Sequence, residues 1–252
     1  MSSPLSPPRF GRAVASVALV AVLILSGCVR RPPEPLRPSS PYPSRTEAPL
    51  VGGLVDRPID GGTQALVVRE GRDLGRCLAE LNAARVRFSP VPDRQNTATC
   101  GLSQGGVLGA DMGTVARMAP GEVEMTCQTA LALSVWRRQS LEPAAREILG
   151  SDVVQIDHMG AYACRNVNNG VGSNRISAHA QAAALDFAGV RLRDGRRISV
   201  ARDWNGDGAE ARFLRRIRDD ACRVFGTTLS PDYNAVHHDH LHLEATDTRF
   251  CR

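Results

Sequence analysis

The histidines of this chain are concentrated near its C-terminal end, and their spacing constrains how that segment can fold. Four of the six histidines fall between His237 and His242, in the run V-H-H-D-H-L-H-L-E. His240 and His242 are two positions apart, so on a β-strand both side chains face the same side of the sheet. Two histidines on one face beside a carboxylate indicate a metal site. We therefore predict that residues 240–245 form the last strand and carry a metal ion.

A second group of polar residues lies upstream, in the segment S-A-H-A-Q-A-A-A-L-D at 177–186. A short helical stretch over 177–183, followed by a strand, would bring His179 and Asp186 to one point. Asp186 stands in an otherwise apolar strand, where a carboxylate is costly to bury unless it is paired or binds a metal. Together with His242 these residues predict a tetrahedral zinc site whose fourth position is open to water.

Hydrophobic periodicity in the rest of the folded part predicts an α+β fold. The predicted helices cover residues 73–84, 125–138, 143–149 and 210–225, with Gly150 ending the third. The predicted strands are short pieces within 101–123, then 152–157 with 161–165 as its hairpin partner, 184–192, 197–200 and 240–245. Residues 166–174 form a Gly/Asn-rich loop. This order predicts a small antiparallel sheet with flanking helices and the zinc site on the sheet.

The N-terminal segment has the features of an export signal. Arg9 and Arg12 precede an apolar run over 13–25 that is too short for a comfortable membrane span. The sequence L-S-G-C at 25–28 has the pattern of a bacterial lipoprotein signal, which implies cleavage before Cys28 and acylation of its thiol. An ordinary secretory signal with an incidental cysteine is the alternative.

The segment after Cys28 is rich in proline, serine and arginine and cannot form a core, so we predict an extended tether over 28–68. The domains predicted are therefore a signal peptide at 1–27, this tether, and a folded domain at 69–252. An N-terminal lipid would bind the protein to a membrane and leave the folded domain soluble.

The charge balance is basic, with a formal net charge of +5 carried by arginine without any lysine. A basic surface can indicate nucleic-acid binding. Here only 4% of residues are aromatic, no nucleic-acid recognition motif is present, and the export signal argues against it. We expect no nucleic-acid partner.

The cysteine count agrees with export to an oxidising compartment. Besides Cys28 the chain has an even set of six cysteines and no C-x-x-C pair, so we predict three disulfides. Neighbours in sequence are the favoured partners. That gives the pairs Cys77–Cys100, Cys127–Cys164 and Cys222–Cys251, among the many that six cysteines allow.

The two polar segments together resemble a known zinc superfamily. It joins D-Ala-D-Ala metallopeptidases, lysostaphin-type peptidases and hedgehog domains, and its signature is H-x6-D followed by H-x-H. The chain from about Cys100 to Cys251 is also similar to the bacterial extensin-like C-terminal domain. The segments that carry this second resemblance are Y-A-C-R-N at 162–166, S-A-H-A-Q-A-A-A-L-D at 177–186, R-D-W at 202–204, C-R-V-F-G at 222–226 and H-H-D-H-L-H-L-E at 237–244.

The superfamily resemblance implies roles for individual residues. His179, Asp186 and His242 would be the zinc ligands. Asp239, three positions before the last ligand, would be the general base, and His240 would help stabilise the oxyanion. This chain departs from the usual pattern at Ala182, where glycine is common, in having aspartate rather than glutamate as the base, and in lacking the aromatic residue often found before the last histidine motif.

Further candidates surround these residues. Arg165 and Arg175 can hold a substrate carboxylate through the two-pronged guanidinium, or they are ordinary surface arginines. Ser177 either hydrogen-bonds within the site or caps the short helix that follows it. His237 and His238 are candidates for supporting the ligands, or His237 for assisting catalysis from the rim.

These features together predict a zinc-dependent hydrolase that cleaves peptide bonds in peptidoglycan stem peptides or cross-links. We expect it to be lipid-anchored in the bacterial cell envelope and to face the periplasm, with the outer membrane as the expected location. The alternative is a non-catalytic lipoprotein that keeps zinc for structure and binds or scaffolds the wall, and a regulator of other wall enzymes is a third reading. The oligomeric state stays open.

Overall fold

The computed structural model describes residues 53–170 and 173–252. The predicted signal peptide, Cys28 and most of the predicted tether lie outside these residues. The folded part begins before the predicted boundary at residue 69, because Leu54 and Val55 are buried in the core and the first helix starts at Thr63. Among the residues described, no helix is both long and apolar enough to cross a membrane.

The described helices are α1 (Thr63–Gly71), α2 (Leu74–Ala83), α3 (Cys127–Trp136), α4 (Glu142–Ala144), α5 (Val200–Asp203) and α6 (Ala209–Ala221). Helices α2 and α3 lie within segments predicted to be helical, and α6 begins at Ala209, one residue before the helix predicted over 210–225. From the end of α3 the chain continues through π-helical turns on either side of α4. It stops at Gly150, whose left-handed conformation (φ 68°) confirms the glycine as the end of this helical region.

The described strands are β1 (Val86–Pro90), β2 (Arg94–Gln95), β3 (Gly101–Leu102), β4 (Gly105–Asp111), β5 (Arg117–Ala119), β6 (Val123–Thr126), β7 (Val153–His158), β8 (Ala184–Leu192), β9 (Arg197–Ser199), β10 (Thr227–Leu229), β11 (Leu241–Glu244) and β12 (Phe250–Cys251). The largest sheet has the order β12-β10-β11-β8-β7-β5, with β9 also paired to β8. Strands β1, β4 and β6 form a separate antiparallel sheet. The prediction of an α+β fold with antiparallel strands and flanking helices is confirmed, while β5–β7 and β10–β12 are parallel pairs at the sheet edges.

Two of the strand predictions were wrong. Residues 161–165 do not form a hairpin with β7, which pairs instead with β8 and β5. The backbone of this segment bonds to the turn around His179, whose carbonyl accepts the N–H of Ala163 at 3.0 Å. Strand β11 is not the last strand, because β12 follows it and pairs in parallel with β10.

All six cysteines form disulfides, as predicted, but only Cys222–Cys251 has the predicted partner. The other two bonds are Cys77–Cys127 and Cys100–Cys164. Cys77 belongs to α2 and Cys127 begins α3, and both are fully buried where these helices pack together. Sequence proximity gave the wrong partners because helix packing, rather than chain distance, brings these thiols together.

Helix α3 is buried on nearly every side and connects the helices to the main sheet. The ring of Trp136, at its end, packs edge-on against Phe187 of β8, with 5.3 Å between centroids, and against Phe225 at 6.3 Å. Its indole N–H donates to the carbonyl of Ile217 at 2.8 Å. Because neighbouring residues on a strand face opposite sides, fixing Phe187 in this core directs Asp186 to the other face of the sheet.

His158, at the end of β7, is buried and satisfied as a neutral ring. Its Nε2–H donates to the carbonyl of Pro120 at 2.7 Å, and its Nδ1 accepts the N–H of Gly160 at 3.0 Å. Burial is the main reason that the pKa of His158 lies below its usual value of 6.5. This histidine therefore stabilises the fold in its uncharged form.

The depressed pKa of His158 predicts a loss of stability in mild acid. Below about pH 6.5 the unfolded chain takes up a proton that the folded chain resists, so the free energy of unfolding falls by up to about 1.4 kcal/mol per pH unit until the folded pKa is reached. Thermal unfolding of wild type and His158→Gln between pH 7.5 and 5 measures this. We expect a shallower decline in the variant, and equal slopes would contradict it.

Candidate metal centre

Two of the predicted ligands are brought together by strand pairing. Strands β8 and β11 are antiparallel neighbours, and His242 lies directly opposite Asp186 in their register. Residues opposite each other in such a pair project from the same face of the sheet. As a result, the Nδ1 atom of His242 lies 2.9 Å from Oδ1 of Asp186.

The third predicted ligand, His179, is positioned by the 3-10 turn Ala178–Gln181 just before β8. The hydroxyl of Ser177 caps this turn by accepting the N–H of His179 at 3.3 Å, which confirms the capping interpretation. Ala182 ends the turn in the left-handed region (φ 52°), a conformation that suits glycine better than alanine. The turn places Nε2 of His179 3.0 Å from Asp186 Oδ1 and 3.1 Å from His242 Nδ1.

These three side chains fit a zinc ion. One donor atom from each lies within 4.8 Å of the other two, and all three residues are buried. Neighbouring ligand atoms around a tetrahedral zinc are about 3.3 Å apart, close to the observed spacing. The Nδ1–H of His179 donates to the carbonyl of Ala161 at 2.9 Å. That bond leaves Nε2 as the coordinating nitrogen, in the manner of metal-bound histidines.

The charges of the cluster are strongly coupled. Burial by itself raises the pKa of Asp186, but hydrogen bonds with His179 and His242 outweigh it and hold that pKa far below its usual range. Burial lowers the pKa of His242, whereas Asp186 and Glu244 raise it, and the result is about 9. The carboxylate is thus ionised, and the site stabilises positive charge at the point where the donor atoms meet.

The two predicted catalytic residues form a pair beside the cluster. Asp239 Oδ1 accepts the Nδ1–H of His240 at 2.8 Å. The opposite ring nitrogen, Nε2 of His240, faces the cluster and lies 3.6 Å from Asp186 Oδ1. His240, rather than Asp239, therefore presents its free nitrogen to the predicted zinc site.

The remaining histidines of the C-terminal run separate into one inside the site and one outside. The ring of His237 lies 5.1 Å from that of His240 and 5.8 Å from that of His242, and its Nδ1–H donates to Asn234 Oδ1 at 2.7 Å. Burial, followed by the charges of His240 and His242, lowers its pKa to about 4, so it is neutral. His238 points outward, with 71% of its side chain exposed.

A pocket of about 500 Å³ opens over His237, His240 and His242. Its lining includes all three predicted substrate-binding residues, Arg165, Arg175 and Ser177. Arg165 reaches toward the ligands, with Nη2 at 3.8 Å from Asp186 Oδ2. The structure therefore brings together residues that are more than seventy positions apart in the sequence.

Some residues of the site were missed by the sequence analysis. Glu244 lies 3.9 Å from Nε2 of His242, and its position two residues further along the same strand could have indicated this. Tyr233, Val236 and Phe250 also line the pocket. No sequence signal identified them, because their contribution depends on how the C-terminal segment folds over the sheet.

The fold and the cluster define an α+β protein with a candidate His–Asp–His metal centre next to an open pocket, which His242 lines. The chain belongs to the extensin-like protein C-terminus family, whose profile matches residues 75–252. This match contains the three candidate ligands together with Asp239 and His240. Comparisons with curated proteins and with solved structures found no match.

The geometry predicts one tightly bound zinc ion per chain. Replacing His179 or His242 by alanine removes one of three donors and should reduce bound zinc to a small fraction of one equivalent after dialysis against a weak chelator. Metal analysis by mass spectrometry measures this. The matched control is His238→Ala, which removes an exposed histidine from the same segment and should keep one equivalent. Equal zinc content in all three variants would contradict the site.

Proposed function

We propose that this protein is a zinc-dependent hydrolase that cleaves peptide bonds in peptidoglycan stem peptides or cross-links. The observation that carries the proposal is the convergence of His179, Asp186 and His242 on one point beside an open pocket that His242 lines. Three protein donors leave a fourth tetrahedral position for water or substrate, which is the arrangement of catalytic rather than structural zinc. A structural zinc is ordinarily enclosed by four protein ligands.

The choice of peptide substrates rests on the H-x6-D and H-x-H spacing. We propose that the chain is related to the superfamily of D-Ala-D-Ala metallopeptidases, lysostaphin-type peptidases and hedgehog domains, which this spacing resembles. The first motif forms a turn that leads into a strand, and the second forms the antiparallel neighbour of that strand. The export signal and the lipoprotein pattern at Cys28 support the cell wall as the place of action.

His179, Asp186 and His242 would hold the zinc ion, which supplies Lewis acidity and lowers the pKa of a water molecule toward neutrality. We assign the role of proton acceptor to His240, because its Nε2 faces the cluster. Asp239 then acts through His240, fixing the ring and stabilising its protonated form through the 2.8 Å hydrogen bond. This differs from the sequence-based expectation that Asp239 itself is the base.

The arginines on the pocket wall would orient the substrate. Arg165 and Arg175 offer guanidinium groups that match a carboxylate of the substrate. Because Arg165 also lies close to Asp186, it can bind a substrate group next to the reacting carbonyl. Peptidoglycan stem peptides carry such carboxylates.

The alternative, a zinc-containing protein that binds or scaffolds the wall without catalysis, is favoured by one observation. The carboxylate of Asp239 is directed at His240, so the residue expected to be the base does not itself face the ligands. A protein of this kind would bind muropeptides in the same pocket and release no product.

Hydrolysis is tested by incubating the zinc-loaded protein with defined muropeptides, with and without a chelator, and by analysing products by mass spectrometry. We expect a zinc-dependent product, and a loss of rate by about 100-fold or more in His240→Gln with zinc retained. Asp239→Asn should also slow the reaction, because the amide cannot stabilise a protonated His240.

The control is Asp219→Asn, which makes the same change as Asp239→Asn at an exposed carboxylate outside the pocket and should keep wild-type activity. If the zinc-loaded wild type releases no product from any muropeptide but binds them, the non-catalytic alternative is correct. If His240→Gln keeps full activity while Asp239→Asn loses it, Asp239 is the base and our assignment of roles is wrong.

The proposed lipid anchor has its own test. In a bacterial host with lipoprotein processing, the wild-type precursor should incorporate labelled palmitate and sediment with membranes. Cys28→Ser should do neither, since the substitution removes the thiol that is acylated. A wild-type protein that is released unlabelled into the soluble fraction would indicate an ordinary secretory signal instead.

A further inference from the structure

Exposed apolar side chains are concentrated at the pocket over the candidate metal centre. Among the residues described, the large apolar side chains left exposed are Met112, Val115, Met159, Ile176, Tyr233, Val236 and Phe250. Four of these seven, Ile176, Tyr233, Val236 and Phe250, line this single pocket. Apolar side chains that cluster in this way mark a surface that is covered by a ligand.

The pocket has two walls of different chemistry. Arg165 and Arg175 form a cationic wall, and we call Tyr233, Val236 and Phe250 the apolar wall. The aromatic rings of the apolar wall are packed edge to face, with 5.7 Å between centroids. The ring of Tyr233 also lies 5.6 Å from that of His237, so the apolar wall reaches the histidines beside the ligands.

Both walls are held in place by the fold. Arg165 follows Cys164, which is bonded to Cys100, and Phe250 precedes Cys251, which is bonded to Cys222. Phe250 belongs to β12, which pairs with β10. Val236 lies in a 3-10 turn whose N-terminus is capped by Asn234. The pocket is therefore largely preformed, which lowers the entropic cost of binding.

We propose that the apolar wall is a specificity subsite for an aliphatic side chain of the substrate, while the cationic wall binds a carboxylate of the same molecule. The ligand class is then a short peptide that has both an aliphatic residue and a free carboxylate. Charge complementarity selects the anionic group, and apolar area selects the aliphatic one. The inference rests on the proposed function in taking this pocket as the substrate site.

The test measures binding rather than cleavage. The probes are N-acetyl-Leu-Ala, N-acetyl-Gly-Ala, which lacks the aliphatic side chain, and N-acetyl-Leu-alaninamide, which lacks the carboxylate. Dissociation constants are measured by NMR titration of zinc-loaded His240→Gln, in which the proposed cleavage is slowed, and of the wild type after chelation. We expect N-acetyl-Leu-Ala to bind on the order of threefold to tenfold more tightly than either other probe.

Val236→Ser removes apolar area from the wall at an exposed position and keeps the backbone N–H that Asn234 caps. It should weaken binding of N-acetyl-Leu-Ala by about threefold or more and leave binding of N-acetyl-Gly-Ala unaffected. In a double-mutant cycle, the substitution Val236→Ser and the change from leucine to glycine in the probe are then coupled. The matched control is Val115→Ser, the same substitution at an exposed valine outside the pocket, which should leave both constants unchanged.

Additive effects in this cycle, equal affinity for the leucine and glycine probes, or no binding of N-acetyl-Leu-Ala would overturn the subsite. Coupling in a protein that cleaves no muropeptide would support the subsite and reject the hydrolase. Cleavage of muropeptides by a protein that shows no coupling would support the hydrolase and reject the subsite. The two proposals therefore fail separately.

Discussion

The pairing of β8 with β11 is the constraint on which the candidate site depends. It sets His242 opposite Asp186, so that two donor groups meet on one face of the sheet at 2.9 Å. A shift of one residue in this register would turn one of these side chains to the opposite face. The turn that carries His179 then has to bring only this one side chain to Asp186 and His242. The cap from Ser177 and the left-handed conformation of Ala182 fix the turn in that position.

That register is maintained from the other side of the sheet. Phe187 and Leu185, on either side of Asp186, are fully buried, and Phe187 packs against Trp136 of the central helix α3. Apolar burial thus fixes the strand whose single carboxylate contacts His179 and His242, and the charged cluster does not have to supply the energy of folding. Because the apolar packing lies on the other face of the strand, it can offset the free-energy cost of burying charge in the cluster.

One of the three disulfides lies in the core, and the other two lie next to the pocket. Cys77–Cys127 joins two buried helices, while Cys100–Cys164 and Cys222–Cys251 are next to Arg165 and Phe250, one on each wall of the pocket. Segments with little regular structure, such as residues 159–166, can therefore hold functional side chains in defined positions. The backbone of this segment also contributes directly, since the carbonyl of Ala161 orients His179.

The sequence by itself determined the α+β class, the number of disulfides and the three candidate ligands, because strand alternation and residue chemistry act over short distances. Only the tertiary structure decided the partners of four cysteines, the true neighbours of β7, and the orientation of Asp239 toward His240. The apolar wall belongs to the second group as well. These features arise from contacts between segments that are distant in the chain, where many arrangements satisfy the same local pattern and packing selects one.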